Sequence, residues 1–183
     1  MRWWLRGLAC GAAVGLVVGF VVGGTLGRAF MRLLFLSREE SRGIETAMGA
    51  IIGDFTAGGT IFIGIFGAIM GVGLGVVYVC LRGFMPSGVW RRELVFVGGA
   101  SALMLGLLTR INLDDFAVLP VTLSVLLIAA SVALTAMPVP FVVERIAPDR
   151  ERRPGTVANA LVAAGLLAAT VFAATGVALA YAQ

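Results

Sequence analysis

The sequence contains no lysine and no histidine, and it has only two cysteines in 183 residues. The commonest general bases, imidazole metal ligands and Schiff-base nucleophiles are therefore missing. Cys10 and Cys80 belong to no CxxC motif or Cys/His cluster, so the sequence does not support a zinc site. We predict no catalytic, cofactor-binding or metal-binding residues, and a protein that is not an enzyme.

Charged residues are also scarce. They make up 13% of the chain, whereas hydrophobic residues make up 60% and the mean hydropathy is +1.01. Soluble domains carry roughly 25% charged residues. The charges are clustered, and the neutral runs between them are continuously apolar and about long enough to span a hydrocarbon core. The composition predicts an all-α integral membrane protein whose partner is the lipid bilayer.

Five apolar runs predict a five-transmembrane-helix bundle that forms a single membrane domain over residues 1–183. The predicted spans are residues 5–27, 58–81, 94–109, 116–137 and 157–181. The first span could run on to residue 36. The fourth could stop before the two prolines of MPVPF, or kink there and reach residue 143.

The connection between the first two spans has an apolar pattern of its own. Ile44, Met48 and Ile51 recur at helical spacing, while the charges lie mainly before them. This pattern predicts a short interfacial helix at about 38–53 on the outer surface. A helix that dips partway into the bundle is the open alternative.

Glycine recurs every four residues in GLACGAAVGLVVGFVVGGTLG, the first predicted span. Helices in a bilayer gain little from burying apolar surface against each other, so their association depends on small residues that permit close packing. The fifth span has two rows of small residues, Ala160, Ala164 and Ala168, and Gly165, Ala169 and Ala173. The predicted helix-packing residues of the first two spans are Gly7, Gly11, Gly15, Gly19, Gly23, Gly27, Gly67, Gly71 and Gly75.

The long glycine row does not form a straight stripe. Four residues turn an α-helix by about 400°, so each step drifts about 40° around the axis. We therefore predict that no single partner follows the whole row, and that the first helix contacts at least two neighbours. The second span is the first candidate partner. Intramolecular packing, a subunit interface and a gating face remain open as roles of these rows.

All 14 basic residues are arginines, and they are divided unequally between the two sides of the predicted bundle. Nine lie on the side of the N-terminus and five on the other, so the N-terminus is predicted to be cytoplasmic and the C-terminus outside. The residues expected to set topology and touch headgroups are Arg2, Arg6, Arg91, Arg92, Arg150, Arg152 and Arg153. No basic face is interleaved with aromatics, so nucleic acid is not an expected partner.

Polar groups within the spans offer little chemistry. No charged residue lies at the centre of a predicted span, where ion-coupled transporters usually keep one. The hydroxyl groups of the spans are expected to bond to their own backbone carbonyls. Arg110 and Asp114 are four residues apart and are expected to be able to pair.

Four short motifs appear in a characteristic order, namely GRAFMR at 27–32, GGTIF at 58–62, LRGFMP at 81–86 and INLDDFAVLP at 111–120. In these motifs the chain resembles a family of uncharacterised multi-pass membrane proteins from high-GC bacteria, over roughly residues 15–145. The resemblance implies a multi-pass architecture in the bacterial cytoplasmic membrane, and it implies no activity.

Abundant packing surface and scarce chemistry favour a non-enzymatic accessory or scaffolding subunit, or a self-associating helix bundle. Such a protein would act as a homo-oligomer or within a larger membrane complex. The alternative is a small channel or transporter formed by an oligomer. The glycine rows, Pro138 and Pro140, and the scattered hydroxyl groups favour that alternative.

The predicted orientation can be tested with the two native cysteines. Cys10 begins the first span and Cys80 ends the second, so both are expected in the cytoplasmic leaflet. An impermeant thiol reagent applied to intact cells should leave both unlabelled, and permeabilised cells serve as the control. Labelling of either cysteine on intact cells would contradict the orientation.

Overall fold

The computed structural model describes residues 2–37, 57–86, 88–117, 120–147 and 155–182. Seven α-helices lie in these ranges: α1 (Arg2–Val18), α2 (Gly24–Ser37), α3 (Ala57–Leu81), α4 (Val89–Ile111), α5 (Val121–Ala136), α6 (Pro138–Ile146) and α7 (Thr156–Tyr181). A π turn at Gly19–Gly23 joins α1 to α2, and a short 3-10 helix at Asp114–Ala117 follows α4.

Five stretches are long and apolar enough to cross a membrane: Leu5–Ser37, Ala57–Leu81, Trp90–Ile111, Val121–Ile146 and Thr156–Tyr181. The helices α1 and α2 together make the first span, and α5 and α6 make the fourth. The prediction of an all-helical protein with five spans is confirmed, and the chain is a multi-pass membrane protein in contact with lipid. The helix predicted at 38–53 lies outside the described residues.

The first span takes the longer of its two predicted forms, since its helix continues past residue 27 to Ser37. Arg28 and Arg32, which follow the shorter predicted form, therefore lie within the helix. Long arginine side chains tolerate this position because they can lie along apolar surface, and the Arg32 guanidinium is 4.9 Å from the centre of the Phe35 ring. Thirty-three residues rise about 50 Å, so this span must tilt or project beyond a core of about 30 Å.

The fourth span begins later and ends later than predicted. It starts at Val121, after Pro120, and continues through both prolines of MPVPF to Ile146. The Met137 N–H still bonds to the Ala133 carbonyl at 2.9 Å, so the helical hydrogen bonds of α5 are complete before α6 begins. Pro138 then takes the first position of α6, where a missing N–H costs little.

The helices form two groups, one of the first span with α3 and α6, and one of α4 with α5 and α7. The first span packs along α3, and α1 also contacts α6. The helix α5 joins this group to α4, and α7 lies outside against α4. The buried core lies where α3, α4 and α6 come together, and it includes Tyr78, Phe96, Val139 and Val143. A smaller cluster forms around Leu34 of α2.

The glycine rows of α1 and α3 lie against each other in antiparallel order. The facing pairs are Gly11 with Gly75, Gly15 with Gly71, and Gly19 with Gly67. In each pair, a Cβ atom added to either glycine would collide with the carbonyl oxygen of the other. The two backbones therefore touch directly, at a separation that only glycine permits.

The π turn explains how the contact continues beyond Gly19. A π turn holds one residue more than an α turn, and the Gly24 N–H bonds to the Gly19 carbonyl five residues earlier. Gly24 therefore approaches α3 as well as Gly23, and a Cβ atom on Gly24 would lie 3.1 Å from the Gly64 Cα atom. Gly23 lies between α3 and α5, since its Cβ atom would be 3.5 Å from the Gly67 Cα atom and 3.8 Å from Thr135.

The prediction that no single partner follows the whole row is wrong. At one end of the row, a Cβ atom on Gly7 would lie 3.4 Å from Val79 of α3. At the other end, a Cβ atom on Gly27 would lie 2.6 Å from Ile63 of the same helix. The drift was calculated for an uninterrupted α-helix, and the π turn changes the residue that faces α3.

Gly71 and Gly73 of α3 provide a matched test of this contact. A Cβ atom on Gly71 would collide with the Gly15 carbonyl, whereas one on Gly73 would have no atom within 4 Å apart from its own helix. We expect Gly71→Ala to destabilise the protein by about 2 kcal/mol, since overpacking forces the helices apart. Gly73→Ala should stabilise it by up to about 1 kcal/mol, because alanine is the better helix former. Thermal unfolding in mild detergent measures both, and equal effects would contradict the contact.

Candidate functional site

Polar side chains from three spans meet around Glu144 at one end of the bundle. The Tyr78 hydroxyl of α3 donates a hydrogen bond of 2.7 Å to Glu144 Oε1 of α6. The guanidinium groups of Arg82 and Arg92 lie 3.8 and 3.7 Å from the same oxygen atom. One carboxylate on α6 thus contacts side chains from the end of α3 and from the start of α4. We call these four residues the Glu144 cluster.

The ends of the helices determine this geometry. Tyr78 lies in the last turn of α3, fully buried, and its ring packs edge-on against Phe96 of α4 with the centroids 5.1 Å apart. Arg82 directly follows α3 and donates to the Ala147 carbonyl beyond α6, at 2.7 Å. The Arg92 Nε atom donates to the Pro86 carbonyl at 3.2 Å. Carbonyl groups outside the hydrogen bonds of a helix need other donors. Each arginine therefore binds a backbone carbonyl and also faces the Glu144 carboxylate.

Partial burial strengthens the electrostatics of the Glu144 cluster. The side chains of Arg82, Arg92 and Glu144 are only 13%, 11% and 17% exposed, so water screens their attraction less than on an open surface. Two positive charges face one negative charge, which leaves this end of the bundle net positive. The arrangement can fix three helix ends together, while the exposed Arg6 and Arg91 at the same end can contact anionic headgroups.

The arginines predicted to set topology are not all equivalent. Arg6 and Arg91 are exposed, whereas Arg92 is drawn into the Glu144 cluster. Arg2 belongs to α1 by its backbone. The other three, Arg150, Arg152 and Arg153, lie outside the described residues. Sequence reasoning missed the cluster because Tyr78 and Glu144 are 66 residues apart.

Arg110 at the end of α4 binds α7 instead of pairing with Asp114 as expected. Its NH1 atom donates to the carbonyls of Gly106 and Phe172, both at 2.8 Å, and its NH2 atom donates to Thr175 Oγ1 at 2.6 Å. The guanidinium also lies 3.8 Å from the centre of the Phe172 ring, within cation–π range. Arg110 therefore attaches α7 to the bundle.

Five threonines of the spans bond to the carbonyl four residues earlier, as expected. This pattern holds for Thr25, Thr109, Thr135, Thr170 and Thr175. These bonds satisfy the hydroxyl within its own helix and leave it little to offer a passing solute. Ser101 of α4 and Ser124 of α5 differ, because the buried Oγ atom of each has no hydrogen-bond partner among the described residues.

The helix α7 has a largely uncovered outward face. Only 11% of its most apolar window is buried, against 22–28% in the other spans. Ala173, Gly176 and Ala180 are buried on its inward face. The row Ala160, Ala164 and Ala168 points away from the bundle and is exposed. We call this row the α7 face.

No three histidine, cysteine, aspartate or glutamate side chains come together as a metal site within the described ranges. Comparison of the chain with family models, with curated proteins and with solved structures found no match. Its description as a multi-pass membrane protein rests on the five apolar helices. The bacterial family that the sequence resembles stays an expectation.

The Glu144 cluster can be tested with two tyrosine variants. Tyr78→Phe removes the buried donor to Glu144 and should lower the free energy of unfolding by about 2 kcal/mol, as expected for a hydrogen bond to a charged group. Tyr181→Phe is the control, since it removes an exposed hydroxyl that contacts Thr122. Chemical unfolding in detergent micelles measures the difference. If both variants lose the same stability, the cluster does not hold the helices together.

Proposed function

We propose that this chain is a non-enzymatic membrane subunit that associates with a second copy of itself through the α7 face. The observation that carries the proposal is the exposed row of Ala160, Ala164 and Ala168 on the least buried span. In lipid, rows of small residues are the surfaces on which helices approach closely. The equivalent rows of α1 and α3 are already used within the chain.

The inward and outward faces of α7 differ in their contacts, and this difference supports the proposal. Its inward small residues pack against α4, where Gly176 leaves room for the Arg110 side chain. Its outward small residues have no such partner within the described part of the chain. A large apolar residue would fill lipid-facing space equally well, so alanine at three successive steps favours a second helix there. A symmetric dimer uses the same patch twice and needs no other complementary surface.

We further propose that the protein lies in the cytoplasmic membrane of a bacterial cell with its N-terminus inside. Arg6, Arg82, Arg91, Arg92 and Arg145 all belong to the end of the bundle that carries the Glu144 cluster. Such an excess of arginine favours the cytoplasmic side. The C-terminal end of α7 would then lie on the opposite side.

Self-association can be tested by enlarging one residue of the α7 face. Ala164→Leu should lower the dimer fraction about tenfold, because the added side chain keeps the two helices apart. Ala130→Leu is the matched control, since Ala130 is exposed on α5. Native mass spectrometry in mild detergent measures the dimer of each variant.

The same experiment separates the competing functions. A monomeric wild-type protein, or a dimer that survives Ala164→Leu unchanged, would overturn association through α7. A different companion protein retained through α7 would favour an accessory subunit of a larger complex. An oligomer that makes liposomes leak solute would favour the channel or transporter alternative.

A further inference from the structure

A cavity of about 230 Å³ lies inside the bundle between α2, α3, α4 and α5. Its walls are mainly apolar and include Phe30, Phe66, Met70, Met104 and Ile128. An apolar cavity of roughly 150 Å³ can stay free of water and accept a hydrocarbon guest. This larger cavity is therefore suited to an apolar molecule rather than to a chain of waters.

The cavity has the length of one lipid leaflet. Along α5 it extends from Ser124 to Thr135, a rise of about 16 Å. Half of a hydrocarbon core is about 15 Å thick. The fourth span, Val121–Ile146, is about 39 Å long, so when it is centred in a core of about 30 Å Ser124 lies close to the boundary. Thr135 then lies close to the middle of the bilayer.

The separation of α3 from α4 gives the cavity a side facing lipid. The two helices meet at the Tyr78 and Phe96 rings, near the Glu144 cluster. Elsewhere along their length they scarcely pack against each other. Met70 of α3 and Met104 of α4 therefore line opposite walls without a helix–helix contact to close the gap. Both methionines are only partly buried, so the cavity is open on this side, and a lipid chain can reach it in a membrane.

Ser124 provides the second observation that points to a guest. Its side chain lines the boundary end of the cavity and the residue is 2% exposed, yet no described residue forms a hydrogen bond with its Oγ atom. A buried hydroxyl without a partner is costly, and the threonines of the spans avoid that cost by bonding to their own helices. A single torsion, χ1, positions a serine hydroxyl, so it can turn toward a group at this depth.

We propose that the cavity binds one acyl chain of a phospholipid from the leaflet opposite the Glu144 cluster. The chain lies along α5 between the walls of α3 and α4. The ester carbonyl of the lipid accepts a hydrogen bond from Ser124 Oγ at the hydrocarbon boundary. This lipid is a structural ligand, and its binding does not depend on the proposed dimer.

Filling the cavity tests the proposal directly. Ser131 lines the cavity, whereas its neighbour Ala130 is exposed on the other side of α5. The purified full chain is mixed with palmitoyl-oleoyl-phosphatidylglycerol and examined by native mass spectrometry at increasing collision energy. Wild type and Ala130→Phe should each keep one lipid after the others are stripped. Ser131→Phe should reduce that retained fraction about tenfold. Leu108→Trp, which fills the cavity from α4, should do the same and guards against misfolding of one variant.

Two further measurements separate binding of the acyl chain and ester from binding of the lipid headgroup. Ser124→Ala should weaken retention about fivefold, the loss expected for one hydrogen bond. Replacing the lipid with palmitoyl-oleoyl-phosphatidylcholine should leave retention unchanged, because the chains and esters are the same. The proposal is overturned if wild type retains no lipid. It is also overturned if the filled variants retain as much as Ala130→Phe, or if retention requires the anionic headgroup.

Discussion

The direct contact between the backbones of α1 and α3 is the constraint around which this bundle is arranged. Lipid offers helices little gain from burying apolar side chains, so stability must come from close packing and polar contacts. Glycine at three facing pairs lets carbonyl oxygens rest on the opposing backbone. The π turn then keeps the first span on α3 while α2 reaches α5, where Leu34 packs against Leu123 and Leu127.

Polar contacts near the ends of the helices add to the close packing that the glycines permit. The Glu144 cluster joins α3, α4 and α6 at one end, and Arg110 attaches α7 near the other end of α4. Between these contacts α3 and α4 diverge, and the space they leave is the apolar cavity. The bundle thus has one closely packed pair in α1 and α3 and another in α4 and α7, and α5 lies between them.

Long-period patterns in the sequence predicted the five helices and the residues of the glycine rows, because hydropathy and spacing are local properties. The sequence could not show that the helix continues through Pro138, since that depends on whether its neighbours tolerate a missing donor. It also missed the π turn, after which Gly24 approaches α3 outside the four-residue spacing of the row. The partners of Arg110 and Glu144 come from distant helices, so spacing along the chain pointed Arg110 toward Asp114 instead.

The π turn also sets the phase between the two halves of the first span. One residue more or less in an α-helix corresponds to a rotation of about 100° and a rise of only 1.5 Å. The extra residue at Gly19–Gly23 therefore acts as an angular offset rather than as added length. It lets the apolar side of α2 reach α5 while both halves of the first span stay against α3, so one helix serves two neighbours at once.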